Sequence, residues 1–129
     1  MLLRVKRISA HTAAVSDPVI QDRITEAEIE VMALEESYWR SVRSFESGKM
    51  DVAASSMLKF AQTRIQQSLA DLLLDAAGSE ASQSYIVAGG RRVSVADAFL
   101  LSRRATIFGG TREIQLNIIA RRTLGLPAS

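Results

Sequence analysis

The chain has 129 residues, with 16 Lys and Arg against 14 Asp and Glu for a net charge of +2, a length that organises one core and excludes a second independent domain. Apolar residues make up 47% and aromatics only 5%, and the Ala, Leu, Ile, Glu and Arg content favours helices, so the expected fold is all-α. With no cysteine, disulfides, thiolate metal sites and cysteine nucleophiles are excluded.

Leu2, Leu3, Val5 and Ile8 read as the last turns of an amphipathic helix whose body lies upstream of Met1. "SDPVIQDR" is a helix start, because Ser16 or Asp17 can cap and Pro18 suits the first turn. From there Ile20, Ile24, Ala27, Val31, Leu34, Tyr38, Val42 and Phe45 recur every three or four residues until Gly48, which predicts a long helix with one buried face. A second long helix is expected to begin near Asp51, with its stripe on Ala54, Leu58, Ala61, Ile65, Leu69, Leu72 and Ala76 and its stop at Gly78. The short connection makes the two antiparallel neighbours.

Residues 79–92, small and polar with a glycine pair, read as a loop. Ser94 with Asp97 three positions on starts a third helix running to about Ala105. Thr111 caps a last helix with Glu113 in its first turn, Ile114, Ile118 and Ile119 on its apolar side, and "LGLP" as its stop. An antiparallel pair with two short helices leaves wide apolar flanks, so the up-and-down bundle needs further helix from elsewhere to close.

Chemistry-bearing residues are sparse. His11, the only histidine, sits in a polar stretch beside Thr12 and reads as solvated; no metal site is expected. The arginines at 91, 92, 103, 104, 112, 121 and 122 face only Asp97 and Glu113 in the last third. Their spacing spreads them over different helix faces, which suits solvent, subunit salt bridges or phosphate contacts and argues against nucleic acid. Tyr38 and Trp39 are expected in core or subunit packing, and Met32, Met50 and Met57 in ordinary packing. No apolar run approaches bilayer length and "MLLRVKRI" lacks a secretory signal, so a soluble, cytoplasmic protein with no membrane partner is expected. Gly109 and Gly110 before the Thr111 cap admit two readings: a tight turn into an ordinary helix start, or a place where backbone approaches a ligand and unpaired N–H groups receive phosphate or a polar ring.

The string "IFGGTREIQLNIIARRTLGLP" (107–127) resembles the C-terminal signature of the acyl-CoA dehydrogenase family of flavoproteins. "DPVIQDRITEAEIEVMAL" looks like a long helix of that family's C-terminal domain, and "SSMLKFAQTRIQQSLADLLLDAAG" like the next. Members have an N-terminal helical domain, a middle β-barrel and a C-terminal four-helix bundle that makes oligomer contacts; this chain resembles only the last, with residues 1–16 as the tail of a truncated first helix plus a loop. The resemblance implies FAD as cofactor, an acyl-CoA thioester as substrate, and dehydrogenation at its α and β carbons, in which a carboxylate takes the α proton and the β hydride goes to the flavin.

That base is commonly a Glu directly before the Gly-Thr of the signature, a position held here by Gly109, and other members carry it on the bundle's first helix, upstream of Met1. No catalytic residue is therefore assigned. Gly110, Thr111 and Glu113 match positions that touch FAD, although Glu113 stands where many members have Gln. Of the glutamine and glycine pair that receive a neighbouring subunit's adenosine, only Gly78 is present, and "HTAAVSDP" replaces an "RxxFG"-like turn. The resemblance implies part of an FAD-dependent acyl-CoA dehydrogenase, inactive alone, acting in a homo- or hetero-oligomer with chains that supply the missing domains, in the cytoplasm or, in a eukaryote, the mitochondrial matrix. The alternative is a non-catalytic helical scaffold or partner subunit of the same lineage.

Overall fold

The computed structural model describes residues 1–49 and 52–127. Its order is α1 (Leu2–His11), a short 3-10 turn (Ala13–Ser16), α2 (Pro18–Glu46), α3 (Val52–Ala77), a second turn (Gly78–Ser82), strands β1 (Ile86–Ala88) and β2 (Arg91–Val93), α4 (Val95–Arg103), a third turn (Arg104–Thr106) and α5 (Arg112–Arg122). The all-α expectation holds, with a two-stranded hairpin added. The expected start of the second long helix near Asp51, and the packing of Met50, lie outside the described residues.

Local chemistry sets the helix ends. The Asp17 carboxylate accepts from the N–H groups of Val19 and Ile20, and Pro18 occupies the first turn. The Ser94 hydroxyl accepts from Asp97 N–H. Gly48 and Gly78 end α2 and α3 in the left-handed conformation (φ 77° and 53°), where a Cβ would be strained.

α3 is the hub, packing against α1, α2, α4 and α5. Val5 and Ile8 of α1, Ile20, Ile24 and Ala27 of α2, and Leu69, Leu72 and Leu73 of α3 meet in one core with Val95 and Ala98 of α4. The Thr12 hydroxyl donates to Ala76 O at 2.7 Å, tying the α1 exit to the end of α3.

Four details differ from the sequence reading. The segment expected as a loop at 79–92 contains the antiparallel pair β1–β2, registered Ile86 to Val93 and Ala88 to Arg91, because Ile86, Ala88 and Val93 reach the core while Gly89 and Gly90 (φ 56° and 70°) make the tight turn. The third helix stops at Arg103 and tightens into a 3-10 turn over Arg104–Thr106. His11 is the exposed last residue of α1, not part of a loop. The buried stripe of α2 ends early: Val31 and Leu34 are half-buried, no residue from 35 to 46 joins the core, and Tyr38, Trp39 and Phe45 are exposed. Tyr38 and Trp39 pack edge to face on each other, 5.4 Å between centroids, so their partner is not this chain's own core. A groove of about 440 Å³ runs between these ends of α2 and α3, with Leu34, Met57, Leu58, Ala61 and Ile65 in its walls.

Candidate functional site

The glycine pair lies between the 3-10 turn that ends α4 and the start of α5. Arg104 O accepts from the N–H groups of Ile107 and Phe108, and both of those side chains are exposed. Gly109 and Gly110 follow with φ of 69° and 96°, values that L side chains rarely adopt. The Thr111 hydroxyl then accepts from Ile114 N–H at 3.5 Å and opens α5.

Two polar ties hold this threshold from below. Lys59 of α3 donates to Ala105 O and, at 3.0 Å, to the Thr63 hydroxyl. Gln115 of α5 donates from Nε2 to Gly109 O at 2.8 Å. Beside them a cavity of about 230 Å³ opens between α3 and α5, lined by Lys59, Phe60, Thr63, Gly110, Arg112 and Gln115 among others. Among the described residues no carboxylate lines it. The Arg112 guanidinium lies 5.8 Å from the Phe60 ring centre.

The expected site residues thus fall on two faces. Gly110 lines the cavity, whereas Thr111 and Glu113 are exposed and do not. At Gly109 an added Cβ would touch only Lys59 Cε, at 3.5 Å, so the other side of that position is open. Glu113 is not an idle surface acid. Its own backbone N–H and then the Thr111 hydroxyl donate to its carboxylate and hold its carboxyl below the usual carboxylate value; desolvation opposes them, and the Arg112 charge adds a lesser pull in the same direction.

The pattern describing the acyl-CoA dehydrogenase C-terminal domain matches residues 4–124. The chain belongs to the acyl-CoA dehydrogenase family. It is 30% identical over 135 residues to the acyl-CoA dehydrogenase IpdE1 of Mycobacterium tuberculosis, covering 98% of this chain and 31% of that protein. It is 29% identical over 123 residues to IpdE1 of Mycolicibacterium smegmatis, covering 93% of this chain and 29% of that protein. The chain therefore spans about three tenths of the length of these relatives. No solved structure matches it closely.

Within this acyl-CoA dehydrogenase domain most of the C-terminal arginines are engaged inside the chain. Arg92 lies over the Tyr85 ring at 3.5 Å, Arg103 over Phe99 at 4.2 Å while also paired with Asp71, and Arg104 over Phe108 at 5.4 Å. No helix of the described residues is long and apolar enough to cross a membrane. Among the described residues no cluster of three His, Asp or Glu could hold a metal.

The residue that sequence reasoning missed is Gln115. It is 7% exposed, whereas the apolar side of α5 was assigned to Ile114, Ile118 and Ile119. Ile114 is half exposed and the other two half-buried.

The cap sets a measurable expectation. A carboxyl depressed in the folded state stabilises α5 above the ordinary carboxylate pKa, and that contribution disappears as pH falls through the folded value. Carboxyl-detected NMR should place the Glu113 midpoint below that of an unperturbed glutamate, and Thr111→Val should move it upward while loosening the start of α5 by about 0.5–2 kcal/mol. An unchanged midpoint in the variant would remove the Thr111 contribution.

Proposed function

We propose that this chain is part of an FAD-dependent acyl-CoA dehydrogenase, that it contributes one wall of the flavin site and an oligomer surface, and that it is inactive by itself. The observation that carries this reading is the glycine threshold. Within a matched signature, two left-handed glycines expose backbone beside the Thr111 hydroxyl, and the threshold opens onto a cleft instead of being packed shut. A polar aromatic ring fits against such bared backbone and a helix start. Gly110, Thr111 and Glu113 are the residues proposed to meet the cofactor. Bound FAD would accept the hydride.

What this chain's residues do in that reaction is limited to binding and shaping. The Thr111 hydroxyl accepts from Ile114 N–H and donates to Glu113, so contact with a flavin oxygen requires it to exchange the Glu113 carboxylate for the ligand. Glu113 can only accept, which suits ribose hydroxyls and opposes pyrophosphate. The thioester's α proton needs a base from another part of the protein or from a partner subunit, since position 109 offers none. The exposed apolar end of α2 and its groove with α3 support a role in subunit packing, with Tyr38, Trp39 and Phe45 as anchors. A cytoplasmic location fits this reading.

The missing carboxylate at Gly109 also favours a second reading, a non-catalytic scaffold or partner subunit of the same lineage. Isolation of the native assembly separates the two. Bound flavin, with a two- to tenfold faster loss in Thr111→Val as expected for one hydrogen bond, supports the flavoprotein. A colourless, stable oligomer that ignores added FAD supports the scaffold.

A further inference from the structure

We infer that Gln115 is a positioning residue: its side-chain amide clamps the glycine threshold in one conformation, and it occupies the space a Cβ on residue 110 would need, a second demand for glycine beside the φ of 96°. The consequence for cofactor binding rests on the flavin reading above; the clamp itself does not.

Buried side-chain amides are kept only where they are hydrogen-bonded, and Gln115 meets that condition through Gly109 O, 2.8 Å from its Nε2. Only the NH₂ of the amide can donate to a carbonyl, so the group has one useful orientation. In that orientation Nε2 lies 2.7 Å from where a Cβ on Gly110 would stand, with Ile114 Cγ2 at an ordinary 3.5 Å. Any side chain at 110 must displace the amide, and with it the bond to Gly109.

The rest of the segment cannot replace that bond. Ile107 and Phe108 are mostly exposed and are tied only locally, to Arg104 through its carbonyl and its guanidinium over the Phe108 ring, so they bring little burial to fix the backbone. The segment is held from other helices at its two ends, by Lys59 and the Thr63 hydroxyl on Ala105 O from α3 and by Gln115 on Gly109 O from α5. The second tie also consumes the Gly109 carbonyl inside the fold. An unpaired carbonyl at the threshold would repel an electron-rich ring or phosphate; with that oxygen satisfied, the wall offers N–H groups and a hydroxyl instead.

The test is a double-mutant cycle in the native assembly, reading hydrogen exchange of the Ile107 and Phe108 amides, which are bonded to Arg104 O, against those of Leu72 and Leu73 in the core. Gln115→Ala is expected to speed exchange at the threshold by about fivefold to tenfold, the worth of one hydrogen bond, and to leave the core amides unchanged. Gly110→Ala should speed exchange by more than that alone, since left-handed strain adds to loss of the amide bond, but should add clearly less on top of Gln115→Ala than it does by itself, because the displaced amide is already gone; the strain is common to both backgrounds and cancels. Additive effects, or equal acceleration at threshold and core, overturn the clamp. Flavin retention, measured in parallel, is expected to fall with threshold protection. If protection falls and retention does not, the clamp stands and the flavin-wall reading is lost.

Discussion

Leu73→Ala is expected to destabilise the domain by about 2–5 kcal/mol, the range for emptying a well-packed leucine site. Leu73 has no exposed surface and sits on α3, the helix that every other helix touches, so no neighbour can shift to fill the space without breaking a second contact. Against the 5–15 kcal/mol that typical domains possess, the loss lowers the melting temperature by about 10 °C or more. Denaturant titration with an unchanged slope is the readout. Trp39→Ala is the companion measurement: half its surface is in water, so in the isolated chain it should cost under about 0.5 kcal/mol. A Leu73 effect below about 1 kcal/mol, or a Trp39 effect as large as that of Leu73, would mean that the core is not centred on α3.

The contrast between those two positions explains what was legible in the sequence. Periodicity located both long helices, and the chemistry at Asp17–Pro18, Ser94 and Thr111 located helix starts, because caps and stripes are local and the sequence states them directly. Periodicity reports that a face is apolar, not what covers it. Tyr38, Val42 and Phe45 continue the α2 stripe, yet Val42 is only half-buried and Tyr38 and Phe45 stay exposed in the described chain. The β1–β2 hairpin escaped because three-residue strands give almost no alternation to count, although Gly89-Gly90 between "YIVA" and "RRV" is a hairpin-turn signal.

At the candidate site, the glycines and the Thr111 cap were readable and Gln115 was not. A glutamine on a short helix predicts solvent, and only the fold reveals that a carbonyl six residues earlier turns back to meet it. Lys59 was invisible for the same reason: its acceptor, Ala105 O, is 46 residues away. The resemblance identified the segment; the polar ties that shape it are tertiary.

Those ties bear on the vacant base position. On the proposed reading, position 109 is where relatives commonly carry the carboxylate, and Gly109→Glu would appear to restore it. The structure argues otherwise. A Cβ there stands 3.5 Å from Lys59 Cε, which brings a glutamate carboxylate within reach of the ammonium. An opposite charge that close lowers a carboxyl pKa by about 1–3, whereas a general base works best with a pKa near the operating pH. The φ of 69° adds about 1–3 kcal/mol of backbone strain.

Gly109→Glu is therefore expected to fold less stably and to carry a carboxylate too weak in basicity to take an α proton. Adding Lys59→Met should raise the pKa of the new carboxyl by about 1–3 while leaving Ala105 O with only the long 3.4 Å bond from the Thr63 hydroxyl and loosening the threshold by up to about 1.5–3 kcal/mol, the worth of a charged hydrogen bond. NMR titration of the introduced glutamate in both backgrounds decides the matter, and equal midpoints would show that Lys59 does not control this position. Base strength and threshold order are opposed here, since the ammonium that would neutralise a base at 109 is the group that holds the wall in place. On the proposed reading, a chain with Lys59 at this point gains little from a carboxylate beside it, and the proton acceptor comes from elsewhere in the assembly.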